Sequence, residues 1–284
     1  QDQLEARRGG AWPDASVANP DTLIENNFST FLYNGDGSTR TIANGIDLAN
    51  KGGLVWLKRR DDAQHHYLYD TERGATKTIN SSLANAESTL STDLTGFASN
   101  GFTLGNGDNN TLGDGTRTFV SWTFKKATKF FDVQTFTSQS SGSTKSFNHN
   151  LGSTPGMVLL KNLANSDAWL VYHRSVGTDN YLNLNTTGSQ QSGSGWITVD
   201  STSVSGIADN VTYNDSPYVA YLFAHETGSD SMIQCGSYTH PDDTSTVSVD
   251  LGWEPQWILF KSIGQSSNWY IFDTMRGIIT DSNS

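Results

Sequence analysis

One pattern of apolar and polar positions occurs three times along the chain, at residues 55–74, 158–177 and 258–277. Each copy opens with three apolar residues and a lysine, and it ends on a glycine sixteen positions after that lysine. In the first copy the apolar opening predicts a buried strand at 54–57, and a second apolar run predicts a strand at 67–70. A polar stretch of hairpin length separates the two, so each copy predicts a β-hairpin.

Several side chains recur at the same place in these copies. They are the lysines Lys58, Lys161 and Lys261, the rings His66, Trp169 and Trp269, the acid and base pairs Asp70 with Arg73 and Asp273 with Arg276, and the glycines Gly74, Gly177 and Gly277. The middle copy carries His173 and Val176 in place of the acid and the base. We expect each acid to form a salt bridge with its base that fixes the turn, and the rings to pack in the core.

The repeat is as long as a whole domain, because the lysines lie 161 − 58 = 103 and 261 − 161 = 100 residues apart. A unit of about 100 residues can bury its own core. The predicted organisation is an N-terminal arm at 1–27, repeats at 28–126 and 127–226, and a partial repeat at 227–284. The partial repeat has no equivalent of the run 118–124 that closes the first repeat. We therefore expect either a fragment or a fold that a neighbouring subunit completes.

Further alternating runs recur along each repeat, about every 8–12 residues, with turn residues between them. The first repeat predicts strands at 28–33 and 39–42 joined by a turn at 34–38, and the counterparts of its first strand are 133–137 and 233–239. The second repeat also predicts strands at 181–184, 196–199 and 218–223. The predicted fold class is all-β, with tandem antiparallel β-sandwich domains of the jelly-roll or lectin-like kind.

Composition and charge exclude several classes of protein. The formal net charge is −11, which repels a phosphate backbone, so we expect no nucleic acid as a partner. No apolar run reaches the roughly 18 residues of a membrane helix, and we expect no membrane insertion. The single cysteine, Cys235, cannot form an intramolecular disulfide and is expected to be a small core residue.

Candidate sites for chemistry are weak in this sequence. Asp70 and Glu72 could form a carboxylate pair for glycoside hydrolysis, but the middle copy has neither acid. His65 and His66 have no further ligand at zinc spacing, and no Gly-x-Ser-x-Gly element marks a nucleophile. Residues 105–115 carry oxygen ligands that could wrap calcium, although a solvated turn is the simpler interpretation. We expect no catalytic residue, no metal and no cofactor.

Residues 1–27 stand apart from the repeats, since they carry two of the six prolines and several turn formers. This composition favours an extended arm that attaches the chain to other proteins. Trp12 is the candidate attachment residue; the alternative is a tryptophan that covers its own domain.

Together with the threefold pattern, five motifs carry a resemblance to a known group of proteins. They are NNFST at 26–30, SFNHNLGSTPGMVLLK at 146–161, VYHRSVG at 171–177, NLNTT at 183–187 and YVAYLFAH at 218–225. With them the chain resembles repeat domains of unassigned biochemistry in tail and other virion proteins of bacteriophages, especially phages of marine bacteria and cyanobacteria. The similarity runs from residue 26 to the C-terminus.

This resemblance implies a non-enzymatic structural protein of the extracellular phage virion, namely a tail fibre or a host-recognition appendage. It implies other virion proteins as partners through the arm, a homo-oligomer, for example a trimer, and contact with a host surface glycan. A capsid decoration protein is the alternative, and a polysaccharide depolymerase is a second one.

Overall fold

The structure is a computed structural model that describes residues 22–278 apart from 108–116, 140–144, 209–211, 213, 229–230 and 242–243. As predicted, the fold is all-β and its sheets are antiparallel. The strands are β1 (Phe28–Asn34), β2 (Arg40–Ala43), β3 (Gly53–Arg59), β4 (His66–Asp70), β5 (Lys77–Asn80), β6 (Ser88–Thr89), β7 (Leu94–Ala98), β8 (Gly101–Leu104), β9 (Thr118–Lys125), β10 (Phe131–Thr137), β11 (Lys145–Asn148), β12 (Pro155–Asn162), β13 (Leu170–His173), β14 (Asn180–Asn183), β15 (Gln191–Ser192), β16 (Thr198–Val199), β17 (Ser203–Ile207), β18 (Pro217–Ala224), β19 (Trp257–Phe260) and β20 (Tyr270–Asp273). One short helix, α1 (Leu48–Lys51), and two 3₁₀ turns, Ile24–Asn26 and Thr274–Arg276, complete the regular elements of the described ranges.

Strands β1–β9 form a two-layer sandwich, which we call unit 1. The larger sheet has the strand order β1-β9-β3-β4-β5-β6, and the smaller sheet has the order β2-β8-β7. An apolar core lies between the two sheets. It includes Val55, Leu57 and Phe119 from the larger sheet and Ile42 and Phe102 from the smaller one.

Strands β10–β18 form unit 2 with the same arrangement. Its sheets have the orders β10-β18-β12-β13-β14-β15 and β11-β17-β16. Each strand of unit 2 therefore occupies the same position as the strand of unit 1 whose number is lower by nine. Val158, Leu160, Phe147 and Val204 belong to its own core. The limits of the repeats, at 28–126 and 127–226, stay a prediction.

The third copy of the pattern forms the hairpin β19–β20, which we call unit 3. The strand predicted at 233–239 is wrong, because these residues contain no strand. The equivalent strands β1 and β10 each pair with one neighbour only, the closing strands β9 and β18. Among the described residues unit 3 has no closing strand, so 233–239 has nothing to pair with.

The hairpin implied by the turn at 34–38 is also wrong. β1 pairs with β9, whereas β2 pairs with β8 in the other sheet, so the turn carries the chain from one layer to the next. Inside the turn, Ser38 N donates to Asp36 Oδ1 at 2.9 Å. Such local turn bonds suit either connection, and they do not specify which sheet the next strand joins.

A further apolar cluster lies between the units and buries the outer faces of both large sheets. Trp122 of unit 1 and Leu159 and Tyr221 of unit 2 belong to it, and Leu259 and Ile271 of unit 3 pack against it. The central strands of the large sheets are therefore buried on both sides. This explains why β3, β12 and β18 carry runs of consecutive apolar residues.

Gly53 lets β3 start close beside β9. Its φ is 157°, and a Cβ added there would lie 2.1 Å from the backbone oxygen of Phe124. Only glycine fits such an approach of two backbones.

Candidate functional site

The shared lysines fix the loop of each hairpin. Lys58 Nζ donates to two carbonyl oxygens of its own loop, at 2.8 and 3.1 Å, and Lys161 Nζ does so at 2.7 and 3.3 Å. Lys261 Nζ donates to the carbonyl of Ser267 in its own loop at 2.7 Å and to that of Thr187 in unit 2 at 3.1 Å. All three ammonium groups are therefore occupied by backbone acceptors.

The ring position joins each unit to the unit before it. Trp169 Nε1 donates to the backbone oxygen of Asn80 in unit 1, and Trp269 Nε1 donates to that of Asn183 in unit 2, both at 2.9 Å. The side-chain amide of each asparagine donates to the backbone oxygen of the ring residue in its own hairpin, His66 or Trp169, also at 2.9 Å. Each asparagine thus links two hairpins.

The acid and the base of unit 1 form a buried corner against unit 2. Arg73 Nε donates to Asp70 Oδ2 at 2.5 Å, and both side chains are almost fully buried. The Tyr221 hydroxyl donates to the same oxygen at 2.8 Å and accepts from Arg73 Nη2 at 3.2 Å. Burial raises the pKa of Tyr221 well above its ordinary range, so the hydroxyl keeps the proton that it donates. The three side chains satisfy one another, which a buried polar group requires.

The same corner of unit 3 contacts unit 1. Arg276 Nε donates to Asp273 Oδ2 at 2.6 Å, and Trp122 Nε1 donates to that oxygen at 2.9 Å. The Arg276 guanidinium lies 4.8 Å from the centroid of the Trp122 ring, a cation–π contact. Trp122 occupies the place on β9 that Tyr221 occupies on β18, since they pair with Trp56 and Leu159, each two residues before the shared lysine.

The corner of unit 2 is His173 and Val176, and it keeps the turn without an acid. Ser175 N donates to His173 Nδ1 at 3.2 Å, and Val176 N donates to the backbone oxygen of His173 at 2.9 Å. Burial, aided by the positive charge of Arg174, lowers the pKa of His173 to about 4. The imidazole is therefore neutral at pH 7.

Backbone hydrogen bonds of 2.8 and 2.9 Å repeat the same interface at two junctions. They run from Glu87 N to Leu163 O and from Asp167 N to Ala84 O between units 1 and 2, and from Gln190 N to Ile263 O and from Ser267 N to Thr187 O between units 2 and 3. Unit 1 thus contacts unit 2, and unit 2 contacts unit 3. Unit 3 in turn contacts unit 1 through the hydrogen bond between Asp273 and Trp122. A head-to-tail interface that returns to its start after three steps is a closed ring with an approximate three-fold arrangement.

His66 fills the ring position of unit 1. Trp56 Nε1 donates to His66 Nδ1 at 2.9 Å, and the imidazole stacks on Trp122 with centroids 6.0 Å apart. Burial, with help from nearby positive charges, lowers the pKa of His66 to about 3. This neutral, half-buried ring packs against Trp56 and Trp122, so it serves packing, as Trp169 and Trp269 do.

The closing glycines recur for a backbone reason. Gly74, Gly177 and Gly277 have φ values of 92°, 81° and 122°, in the left-handed region that side chains disfavour. The turn after each second strand therefore needs glycine, whatever the corner contains.

Other predicted sites gain little from the structure. Within the described ranges no group of three or more His, Cys, Asp or Glu side chains is placed to hold a metal ion. Residues 108–115 of the calcium candidate, and Trp12, lie outside the described residues. Cys235 is buried, and burial raises the pKa of its thiol to about 12. No helix in the described part of the chain is long and apolar enough to span a membrane.

A basic surface depression of about 450 Å³ lies where unit 1 meets unit 3. Its lining residues are Lys58, Arg59, Arg60, Asp61, Thr118 and Arg276. Arg59 Nε contacts Asp61 Oδ1 at 2.6 Å, and Arg276 is paired with Asp273, so neighbouring acids neutralise much of the positive charge. The depression therefore defines no particular anion site.

Residues 25–284 match a family described as a domain of unknown function, DUF7483. The chain belongs to this family. The match spans all three copies of the pattern, so the DUF7483 domain of this chain contains both sandwiches and the hairpin. No curated protein and no solved structure matches the chain.

The repeated pattern does not identify every residue of the junctions. Asn80 and Asn183 each lie six residues after the closing glycine, and the sequence has Asn283 at the third such place, which is outside the described residues. That spacing could have identified them. Trp122 and Tyr221 differ in type, so only an alignment of the closing strands would have paired them.

Proposed function

We propose that the chain is a non-enzymatic structural protein of a phage virion, a tail fibre or a host-recognition appendage of the extracellular particle. The resemblance of its motifs to repeat domains of phage virion proteins supports a place in the virion. The recurring side chains support a structural role, because they bond to one another and to neighbouring units. The observation that carries the proposal is the corner of Asp70, Arg73 and Tyr221, where the shared residues face one another and not a cleft.

A catalytic carboxylate has to reach its substrate. Asp70 is fully buried, and its two oxygens accept from two backbone amides, from Arg73 and from Tyr221. Glu72, the other half of the candidate pair, binds Lys126 Nζ at 2.7 Å. These contacts favour a structural role for Asp70 and Glu72, in which they hold the fold together, over a role in hydrolysis.

A closed ring of three units also fits this role. Its approximate three-fold arrangement would let the domain sit coaxially on a trimeric fibre, with the polar loops of the ring directed outward to a host glycan. The arm at 1–27 would join it to another virion protein.

Immunogold electron microscopy of purified virions from the phage that encodes this chain tests the proposal. We expect label on the tail or its fibres. Label on the capsid shell would favour a decoration protein, and absence of the chain from purified virions would overturn the proposal. Incubation of the purified chain with host envelope glycans tests the non-enzymatic part, since release of reducing sugar would contradict it.

A further inference from the structure

In the described part of the chain the outer edge of β20 has no neighbouring strand, whereas the same edge is occupied in units 1 and 2. β4 lies between β3 and β5, and β13 lies between β12 and β14, while β20 pairs with β19. The backbone groups along the other side of β20 are a template for one more antiparallel strand. In the first two units that place belongs to the strand that directly follows the hairpin.

The turn that leads out of the hairpin is the same in all three units. The first amide after the second strand donates to a carbonyl at the start of the first strand; the pairs are Thr71 N with Gly53 O at 3.0 Å, Arg174 N with Gly156 O at 2.8 Å and Thr274 N with Gln256 O at 3.1 Å. The closing glycine then has a positive φ each time. The chain therefore leaves β20 in the direction in which it leaves β4 and β13.

The segment at the equivalent place in unit 3 ends on an asparagine, as its two counterparts do. β5 and β14 begin three residues after their closing glycine, since 77 − 74 = 3 and 180 − 177 = 3, and they read KTIN and NYLN. The same step from Gly277 gives residues 280–283, TDSN, which lie outside the described residues. The third junction asparagine is therefore Asn283.

The register of this segment follows from units 1 and 2. In both, the asparagine stands opposite the residue that follows the ring position; the pairs are Tyr67 with Asn80 and Leu170 with Asn183. In unit 3 the residue after the ring position is Tyr270. Before the asparagine, Ile79 and Leu182 belong to the central cluster, but unit 3 has Ser282 there. Hydrogen bonds rather than apolar contacts must therefore hold the segment.

His66 offers the donor that this asparagine needs. At the two junctions already described, the indole Nε1 of the ring residue donates to the backbone oxygen of the asparagine in the preceding unit, at 2.9 Å. Because the units close into a ring, the unit that precedes unit 1 is unit 3. His66 Nδ1 accepts from Trp56 Nε1 and the imidazole is neutral, so its proton lies on Nε2. His66 also lies near unit 3, since the charge of Arg276 helps to lower its pKa.

We propose that Asn283 completes the third junction. Residues 280–283 add an antiparallel strand to the outer edge of β20, with Asn283 opposite Tyr270. The backbone oxygen of Asn283 accepts from His66 Nε2, and its side-chain amide donates to the backbone oxygen of Trp269. The junction between units 3 and 1 then has the same two hydrogen bonds as the other junctions, in addition to the contact between Asp273 and Trp122.

Hydrogen exchange of the full chain, followed by mass spectrometry, tests the added strand. Amides of residues 280–283 should exchange at least about tenfold more slowly than in an unstructured chain. Asn283→Asp should abolish this protection, because it replaces the amide donor by a carboxylate that repels the Trp269 carbonyl. Ser284→Asp adds the same charge one residue later and should keep the protection. Exchange at β14 should be the same in all three chains, which shows that the fold is intact.

Nuclear magnetic resonance of a chain with isotope-labelled histidine and tryptophan tests the bond to His66. We expect the Nε2 proton of His66 to exchange slowly with water in the full chain, because the Asn283 oxygen accepts it. Deletion of residues 279–284 removes this acceptor, and exchange of the proton should then be at least about tenfold faster. The Nε1 proton of Trp169, at the first junction, is the control and should not change.

The proposal fails if residues 280–283 exchange as an unstructured chain does, or if Asn283→Asp and Ser284→Asp leave them equally protected. It also fails if the deletion leaves the exchange of the His66 proton unchanged. In that case a protected segment at 280–283 would pair with β20 without reaching unit 1.

Discussion

Two copies of one ion pair, at different depths, allow a matched test of the corners. Asp70 with Arg73 and Asp273 with Arg276 have the same spacing and the same Nε–Oδ2 contact, at 2.5 and 2.6 Å. The arginine side chains differ, since Arg73 is 2% exposed and Arg276 is 26% exposed. Asp→Asn at each place keeps the volume and removes the charge.

The free energy of unfolding should fall far more for Asp70→Asn. Removal of one partner from a buried ion pair leaves the other charge uncompensated and costs about 3–5 kcal/mol. Arg276 can still be hydrated and can stay on the Trp122 ring, so Asp273→Asn should cost about 1 kcal/mol, as at more exposed pairs.

Urea unfolding at pH 7, followed by tryptophan fluorescence and by circular dichroism, measures both costs. We expect the two probes to coincide for each chain, because the central cluster joins all three units, and we expect Asp70→Asn to lose at least about 2 kcal/mol more than Asp273→Asn. Equal losses would refute the idea that burial of the arginine decides the strength of the corner.

Three further predictions follow from single features. Gly53→Ala should disrupt the pairing of β3 with β9 and cost about 1–3 kcal/mol in urea unfolding, because its Cβ meets a backbone oxygen. Gly236→Ala meets nothing within 4 Å and should cost little. His66 has a folded pKa of about 3, below the roughly 6.5 of an unfolded chain, so the unfolded state takes up the proton first and stability falls as pH drops from about 6.5 towards 3. Between pH 7 and pH 5 the free energy of unfolding of the native chain should therefore fall by about 2 kcal/mol more than that of His66→Gln. The variant His240→Gln changes an exposed histidine and should behave like the native chain. Equal losses for the native chain and His66→Gln would contradict this linkage. Deletion of residues 1–21, which keeps the buried Asn27 and its hydrogen bond from Lys125 N, should leave the circular dichroism spectrum and the unfolding midpoint unchanged but abolish incorporation into virions, and loss of folding would contradict an attachment role.

The hairpins could be predicted from the sequence because their pattern is local and occurs three times. The strands predicted at 54–57 and 67–70 correspond to β3 and β4, each slightly longer than predicted. The error at 233–239 has a different origin. That segment has the composition of a strand, but pairing depends on a neighbour far along the chain, which no local pattern reveals.

The junctions were harder to predict than the hairpins. The sequence shows that Trp169 recurs, but not that its indole bonds a carbonyl of another unit, at Asn80. Tyr221 and Asp70 lie 151 residues apart, and their contact depends on how the units are arranged around the central cluster. Recurrence predicts that a position matters to the fold, whereas the partner comes from the tertiary arrangement.

The contact between Asp273 and Trp122 closes the ring, and a double-mutant cycle measures it most directly. The cycle compares Asp273→Asn, Trp122→Phe and the double variant by their free energies of unfolding. We expect a coupling energy of about 0.5–3 kcal/mol, as for residues in direct contact. Additive costs, within about 0.3 kcal/mol, would mean that units 1 and 3 do not meet there and that the three units do not form a closed ring.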